Sequence, residues 1–299
     1  MKKKDLRAKP KYKRVRTTYD LAEIMQHAPK TGPKILHIDI ETSLMRVWTF
    51  GLHQQYLTIG DIITDWNILS FAAKWHGTGP ILYQSLRKQA NPVNDFGLCK
   101  SLHKLLSEAD IVVAHNGKRF DMKKIRARML HNRMPPIPDV RVIDTFIEVR
   151  KVFGLTSNKL AYITEHFGAD GMRKNSHGKF PGKTLWIACQ TGNQQAWDEM
   201  EKYNIPDVLS MEAAFNDIRP WFYGQQNIAV FHEAHDGMTC DACGGTENIQ
   251  KGFRYTQTGK YKRYQCTSVN PLTGVKCGHW FRGRVQQLSK VERAHIGFT

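Results

Sequence analysis

The segment Ile35–Glu41 constrains the fold of this chain more than any other, because its residues alternate in character. Every second side chain is apolar, and Asp39 and Glu41 lie on the opposite face. Such alternation is typical of a β-strand, and residues two apart on a strand project to the same side. Two like charges held this close repel each other unless a cation lies between them. The segment is therefore predicted to be a strand that presents two carboxylates as candidate metal ligands.

Two later segments also place acids at the start or on one side of a predicted helix. The apolar stretch ADIVVAHN leads into Asp121, which begins the helical segment DMKKIRARMLHNR. Tyr203 and Asp207 are four residues apart, so they are adjacent if the backbone is helical through both. Pro206 lies between them, and a proline inside a helix removes a hydrogen bond. The simpler expectation is that one helix ends near Tyr203 and that Pro206 opens the first turn of the next.

The rest of the pattern predicts an α/β domain with a sheet and flanking helices. Strands are predicted at LMRVWTFGL, NILSFAAKWHG, PILYQSL and VRVIDTF, and a helix at Asp95–Ser107. After the last strand the chain is predicted to be largely helical to about Tyr223. The predicted organisation is a basic flexible arm (residues 1–18), a catalytic domain (19–226), a linker (227–238) and a cysteine-containing module (239–299).

The net charge of +17 is concentrated at the two ends of the chain. Residues 1–16 contribute +8 and residues 240–299 contribute +7, so the residues between them carry only +2. This distribution favours a nearly neutral body that is held on a polyanion by basic appendages, although basic ends that only keep a chain soluble would look the same. No segment approaches the length of a membrane span, and the basic N-terminus lacks the apolar stretch of a secretory signal. We therefore expect a cytoplasmic protein.

The acids and their order resemble the DEDD superfamily of 3′→5′ exonucleases, the DnaQ-type proteins with a ribonuclease-H-like fold. The D-x-E motif of that superfamily matches Asp39–Glu41, and its H-N-x-x-x-F-D motif matches His115–Asp121. Its third motif has either a His five residues before the last Asp, where this chain has Lys202, or a Tyr four residues before it, where this chain has Tyr203. The chain therefore resembles the tyrosine subgroup, which includes the proofreading domains of family B polymerases and free-standing relatives. The resemblance covers roughly residues 34–223 and implies a mixed sheet with flanking helices.

The resemblance also implies an activity and a set of site residues. The implied activity is 3′→5′ exonucleolytic hydrolysis of DNA, at single strands or 3′ ends, by a two-metal-ion mechanism. The implied ligands of two Mg²⁺ or Mn²⁺ ions, about 4 Å apart, are Asp39, Glu41, Asp121 and Asp207. Tyr203 would orient the attacking water. Candidate contacts to the substrate are Asn116, Phe120, Arg173 and Lys174. Two of these have structural alternatives, since Asn116 could cap the following helix and Phe120 could belong to the core.

Four of the six cysteines lie in the last sixty residues, in the pattern Cys240-x2-Cys243, then Cys266-x10-Cys277. Clustered cysteines in an intracellular chain indicate metal binding rather than disulfides. A module this short holds little core, so a tetrahedral Zn²⁺ would supply its folding free energy. It resembles a zinc ribbon with a hairpin at Thr258-Gly259, although a ribbon usually has two residues between the cysteines of the second pair. That spacing leaves His279 as an alternative fourth ligand.

Aromatic and basic residues alternate within the cysteine module, for example in the segment FRYTQTGKYKRY. This composition favours stacking on single strands together with phosphate contacts, although the same aromatic residues could form the small core of the module. Nucleic acid is the predicted partner, with DNA favoured over RNA, and replication or repair proteins are candidate partners of the zinc ribbon. An exoribonuclease or a structure-selective endonuclease on the same fold are alternatives. A non-catalytic nucleic-acid-binding protein is an alternative of a different class, and the complete set of acids argues against it.

Overall fold

The computed structural model describes residues 18–53, 56–167, 179–225, 227–232, 237–270 and 274–297. The chain divides into two compact units. The larger one, called the sheet unit below, contains residues 18–28 and 34–214 of the described chain, and the smaller one, called the ribbon unit, contains residues 29–33 and those from 215 onward. Among all the described residues, every helix is too short or too polar to cross a lipid bilayer. The predicted basic arm lies outside the described residues, apart from Thr18.

The sheet unit is built on a five-stranded mixed sheet. The sheet unit as a whole contains seven strands among the described residues: β1 (Ile35–Thr42), β2 (Arg46–Val47), β3 (Ile62–Thr64), β4 (Ile68–Trp75), β5 (Leu82–Ser85), β6 (Ile111–Ala114) and β7 (Arg141–Asp144). Five of them pair in the order β5-β4-β1-β6-β7, while β2 and β3 form a separate two-stranded ribbon. The pairs β1–β4 and β4–β5 are antiparallel, and the pairs β1–β6 and β6–β7 are parallel. The predicted ribonuclease-H-like mixed sheet is confirmed.

Seven helices surround this sheet among the described residues. They are α1 (Leu21–Gln26), α2 (Phe96–Glu108), α3 (Asp121–His131), α4 (Thr145–Val152), α5 (Leu160–Phe167), α6 (Thr184–Gln190) and α7 (Gln194–Ile218). The apolar face of β1 is buried in the main core with residues of α2, α3 and α6. The opposite face of β1, which carries Asp39, lies against α7, whose Asn204 donates to the Asp39 carboxylate. Both faces of β1 are therefore in contact with helices, and Asp39 lies against α7.

The expected helix break at Pro206 is wrong. Helix α7 continues through Pro206 as one element. The proline cannot donate a backbone hydrogen bond, but apolar contacts continue beyond it, where Val208 and Leu209 pack in a cluster with Ala72 of β4 and Ile81. This packing stabilises the helix on the far side of the proline. Tyr203 and Asp207 therefore lie on one helix, one turn apart and on the same side.

The segment predicted as a long strand at LMRVWTFGL forms only the two-residue strand β2. Trp48 and Phe50, which follow β2, are exposed. Aromatic and β-branched residues favour a strand only when a partner strand and a packing surface are available, and here β2 pairs only with β3. The segment between β1 and β4 is therefore an excursion from the sheet rather than part of it.

The ribbon unit contains a three-stranded antiparallel sheet. Its elements are β8 (Asn248–Thr256), β9 (Gly259–Cys266), β10 (Trp280–Gln286) and α8 (Lys290–Ala294). The strands have the order β10-β9-β8, and Thr256 pairs with Gly259, which confirms the predicted hairpin. Its small core contains Cys240, Cys266 and Phe281. So small a core is consistent with a unit that needs a metal ion to fold.

Candidate functional site

Asp39 and Glu41 lie in the second half of β1, partly buried, and each accepts a hydrogen bond from a side chain far away in sequence. Asn204 Nδ2 donates to Asp39 Oδ2 over 2.5 Å. Trp186 Nε1 donates to Glu41 Oε2 over 2.9 Å. Hydrogen bonds to a carboxylate favour its charged form and restrict its rotation. Helices α6 and α7 therefore orient the two acids of β1.

Asp121 lies at the first position of α3 and is only 2% exposed. Its Oδ1 accepts a hydrogen bond from the backbone N–H of Ile40 over 3.1 Å. Ile40 is the residue between Asp39 and Glu41, so the carboxylate of Asp121 is held at the middle of the D-x-E segment. The second predicted motif is thereby joined to the first, although 81 positions separate the two residues in the chain.

The turn between β6 and α3 delivers Asp121 to this position. Asn116 has a positive φ of 62°, a conformation that Asn adopts more readily than most residues. At Gly117 a Cβ atom would lie 2.3 Å from the Cβ of Ala114, so the backbone approaches β6 too closely for any other residue. Asp144 accepts hydrogen bonds from the backbone N–H of Asn116 and of Lys118, at 2.9 and 3.0 Å. Backbone strain, close packing and a buried acceptor together fix this turn.

Tyr203 reaches the same region from α7, and Asp207 lies one turn further along that helix. Asp207 is 5% exposed and Tyr203 is partly buried. The rings of Tyr203 and Trp186 form an edge-to-face contact, with centroids 6.0 Å apart and planes at 78°. Trp186 therefore contacts both Tyr203 and Glu41, and Asn204, which donates to Asp39, is the residue next to Tyr203. The five residues predicted as catalytic belong to three elements that meet through these contacts.

The four predicted carboxylates do not close around one point. In the described part of the chain, no three of them bring ligand atoms within 4.8 Å of one another. The donor set fits a hard divalent cation, since carboxylate oxygens are its preferred ligands. The buried Oδ1 of Asn204, beside Asp39, lacks a hydrogen-bond partner among the described residues and suits a site with additional polar ligands.

Burial raises the pKa of the Asp121 carboxyl to about 7, and the negative charge of Asp144 adds to this rise. Backbone N–H groups of Ile40 and of Asp121 itself oppose it by hydrogen bonding. A metal ion that bound to Asp121 would therefore compete with a proton there. Between the ordinary value of 3.8 and about 7, the folded metal-free chain binds more protons than the unfolded chain. The contribution of Asp121 to stability consequently falls as the pH rises through this range.

We expect added Mn²⁺ to raise the melting temperature of the protein more at about pH 8 than at about pH 6, because the proton on Asp121 is lost and its charge is then compensated by the ion. Differential scanning fluorimetry with and without Mn²⁺ measures both values. Asp121→Asn cannot ionise and is expected to remove this difference. An equal rise at both pH values in the unsubstituted protein would contradict competition between proton and metal.

Sequence reasoning missed three residues that support this site. Asn204 lies between the two predicted residues of α7, so its position was available as a signal. The residues around Trp186 form no recognisable motif, so nothing near it in the sequence indicates its contact with Glu41. Asp144 accepts four backbone hydrogen bonds, which include two at the start of α4, and acts as a helix cap and as an anchor of the turn before Asp121.

The predicted substrate contacts have different outcomes. Phe120 is 38% exposed, so its alternative assignment to the core is wrong, and its ring is available beside Asp121. The alternative of Asn116 as a helix cap is not supported either, because the N-terminus of α3 has no side-chain cap. Arg173 and Lys174 lie outside the described residues.

A buried ion pair joins α7 to the sheet beyond this site. Lys74 Nζ lies 2.7 Å from Glu212 Oε2, and the two side chains are 3% and 0% exposed. The backbone N–H of Gly77 donates to Glu212 Oε1, and His76 Nδ1 lies 2.9 Å from His37 Nε2. Ligand atoms of His37, His76 and Glu212 approach within 4.8 Å, as metal ligands do. Since the ammonium of Lys74 already neutralises Glu212, we interpret the group as a charge-compensated anchor for α7.

We expect Glu212→Leu to destabilise the protein by about 3–5 kcal/mol, because it leaves the Lys74 ammonium buried without a counter-charge. The double variant Lys74→Met/Glu212→Leu removes both charges and is expected to recover most of this loss. Urea unfolding of the unsubstituted protein, the two single variants and the double variant gives the coupling free energy between the two side chains. Additive effects would mean that the two side chains do not stabilise each other.

The four clustered cysteines of the ribbon unit have the geometry of a zinc site. Their sulfur atoms lie within 4.8 Å of one another, and those of Cys243 and Cys266 are 3.6 Å apart. A tetrahedral ion with Zn–S bonds near 2.3 Å places its sulfur ligands about 3.8 Å apart. The four thiols therefore fit Zn²⁺. Cys277 belongs to this set, despite the irregular spacing of the second pair.

His279 is engaged elsewhere and is not needed as the fourth ligand. Its Nδ1 lies 2.6 Å from the carbonyl oxygen of Pro220, and its Nε2 lies 3.0 Å from Asp241 Oδ1. Burial lowers the pKa of His279, but the hydrogen bonds to Asp241 and Pro220 outweigh it, so the net pKa is raised. Both ring nitrogens thus face acceptors, which favours the protonated ring and leaves neither nitrogen for a metal.

The fold and the acid-bearing face of its sheet define an α/β protein of the ribonuclease-H-like class. The family model RNase_H_2, described as RNase_H superfamily, matches residues 36–218, which is more than half of the chain. The chain belongs to the RNase_H superfamily. A comparison with curated proteins gives no match.

Three solved structures illustrate the likeness of fold. The family B DNA polymerase from the hyperthermophilic archaeon Pyrobaculum calidifontis aligns with a TM-score of 0.46 and 15% identity, over 63% of this chain and 25% of the polymerase. RNase D of Trypanosoma brucei aligns with a TM-score of 0.39 and 15% identity, over 70% of this chain and 63% of that enzyme. Its complex with RNA U12 gives 0.41 and 13%, over 70% and 61%. The chain thus spans less than two thirds of each of these structures.

Proposed function

We propose that this protein is a metal-dependent 3′→5′ exonuclease of the tyrosine type, which hydrolyses phosphodiester bonds of DNA at single strands or 3′ ends. The observation that carries the proposal is the set of contacts around the D-x-E segment of β1. In it, Ile40 binds Asp121, Asn204 of α7 binds Asp39, and Trp186 binds Glu41 and contacts Tyr203. Membership of the RNase_H superfamily supports the same reading.

Each residue of the site has a role in this proposal. The ligands of two Mg²⁺ or Mn²⁺ ions would be Asp39, Glu41, Asp121 and Asp207, and such ions supply Lewis-acid stabilisation of the attacking and leaving oxygens. Tyr203 would orient the water through its hydroxyl, and not as a strong base, since a free tyrosine has a pKa near 10. Trp186 and Asn204 would hold two of the carboxylates in the orientation that the ions require. Phe120 would stack on the terminal base.

The ribbon unit would serve as a zinc ribbon that binds nucleic acid. Cations lie over partly buried aromatic rings on its sheet: Arg282 is 4.0 Å from the Tyr261 ring, and Arg263 is 4.9 Å from the Trp280 ring. Such pairs contact bases through the ring and phosphates through the cation. Replication or repair proteins as further partners of this unit, and a cytoplasmic location, stay predictions.

The proposal is tested by incubating the purified protein with DNA and RNA oligonucleotides of one sequence, each labelled at the 5′ end. We expect Mg²⁺ or Mn²⁺ to be required and DNA to be shortened faster than RNA. Faster cutting of RNA would make the enzyme an exoribonuclease. Cleavage of neither polymer with either ion, combined with tight binding, would leave only the nucleic-acid-binding protein.

A further inference from the structure

The described residues 44–53 and 56–66, between β1 and β4, expose large apolar side chains, and we call them the apolar arm. Trp48, Phe50 and Tyr56 are 70%, 109% and 97% exposed, and the aliphatic Leu52 and Ile59 are 94% and 89% exposed. So many large apolar side chains exposed along one short segment are uncommon on a folded protein and suggest an interaction site. The arm carries few charges, and the carboxylate of Asp61 is used internally, as acceptor for Thr58.

The two ends of the apolar arm are fixed to the sheet. Ser43 Oγ donates to Asn67 Oδ1 and accepts from the backbone N–H of Asn67, at 3.0 and 2.9 Å. Both residues are buried. Arg128 of α3 forms a buried ion pair with Asp95 and donates to the carbonyl oxygen of Trp66 over 3.2 Å. The exposed side chains are therefore held on a rigid base.

The base of the apolar arm is continuous with the proposed active site. The arm begins three residues after Glu41. At its other end, Lys124 Nζ lies 3.5 Å from the centroid of the Trp66 ring. Lys124 is one turn after Asp121 on α3, so a path of adjacent residues leads from the proposed metal ligand to the arm. Exposed cations line the same region of α3 and the turn before it: Lys118, Arg119, Lys123 and Arg126.

This combination identifies one occupant. Aromatic rings stack on unpaired bases of any sequence, and lysine and arginine side chains neutralise phosphates. Here the rings are on the apolar arm and the cations are on α3, as a strand of alternating bases and phosphates requires. We propose that Trp48, Phe50 and Tyr56 form a stacking surface for the unpaired bases of the strand whose 3′ end enters the proposed active site. This inference rests on the proposed function and extends it to how the substrate strand is held.

The test compares two variants, one that lacks exposed aromatic side chains of the arm and one that lacks exposed aliphatic side chains. In the aromatic variant Trp48, Phe50 and Tyr56 are replaced by alanine, and in the matched aliphatic variant Leu52 and Ile59 are. Affinity for a 15-nucleotide oligothymidylate, a length of about one binding site, is measured by fluorescence anisotropy with EDTA present, so that no cleavage is needed. We expect the aromatic variant to bind at least about tenfold more weakly and the aliphatic variant to stay within about twofold. An abasic strand of the same length is expected to bind both variants and the unsubstituted protein alike.

Three results would overturn the inference. The aromatic variant could keep its full affinity while the unsubstituted protein still cleaves, in which case the arm fails and the proposed function stands. The two variants could lose affinity equally, which would show that apolar area and not ring stacking matters. Light scattering could show a dimer that both variants abolish, which would make the arm an interface between two copies of this chain. If the unsubstituted protein bound the strand but did not cleave it with either metal, the proposed function itself would be overturned.

Discussion

Asp207→Asn is expected to reduce the rate of strand cleavage at least about a thousandfold, with little change in affinity for the strand. The substitution keeps the shape of the side chain but removes one of the four charges that would hold the divalent ions, and loss of one preorganised electrostatic group typically lowers rates by about 10²–10³. Loss of a proposed metal ligand would add to this effect, because the remaining carboxylates would hold the ions more weakly. Single-turnover cleavage at saturating Mg²⁺ gives the rate, and anisotropy gives the affinity.

Asp198→Asn is the matched control for this experiment. Asp198 lies on the same helix, its side chain is 52% exposed, and it pairs with Arg87 at the surface. The same change of charge there is expected to alter the rate by less than about twofold, since surface ion pairs contribute little. Equal losses in both variants would show that charge on α7, and not the site, determines the rate. Full activity of Asp207→Asn would remove Asp207 from the proposed ligands.

Cys266→Ser is expected to unfold the strands of the ribbon unit and to release its zinc. The four sulfur atoms surround one point, and a structural Zn²⁺ in so small a unit supplies about 10–16 kcal/mol of apparent binding free energy. The core around Cys240, Cys266 and Phe281 is too small to replace that contribution. We expect one zinc per chain in the unsubstituted protein, and loss of amide protection in β8, β9 and β10 in the variant, measured by elemental analysis and hydrogen exchange.

Cys189→Ala is the matched control, because Cys189 is a buried thiol outside the cluster. It is expected to keep one zinc per chain and full protection of the ribbon strands.

Cys266→Ser is also expected to bind nucleic acid more weakly and with a smaller salt dependence, while metal-dependent cleavage persists. An unchanged salt dependence would mean that the ribbon unit serves a protein partner. Retention of zinc in Cys266→Ser would contradict the four-cysteine site.

The parts of this structure that the sequence predicted are those with a local signal. The alternation around Asp39 predicts a strand and the shared face of its acids, and the cysteine spacing predicts the cluster, because both depend on residues close in the chain. The mixed sheet followed from the resemblance and is confirmed. Side chains that act across the fold, such as Trp186 on Glu41, carry no such signal, since their partners are more than a hundred positions away.

Two errors have the same physical origin. A proline is a helix breaker in isolation, but packing of Val208 and Leu209 against the sheet carries α7 past Pro206. Apolar alternation in LMRVWTFGL favours a strand, but a strand needs a neighbour, and the segment becomes the exposed apolar arm instead. In both places tertiary contacts, or their absence, override local propensity.

The length of the first cleavage products tests most directly whether the protein is a 3′→5′ exonuclease. A single strand labelled at its 5′ end is incubated with the protein and Mg²⁺, and products are resolved at single-nucleotide resolution from the earliest times. We expect the first product to be one nucleotide shorter than the substrate and a ladder then to advance from the 3′ end, only when the metal is present. Internal fragments as the first products, or cleavage that persists in excess EDTA, would contradict it.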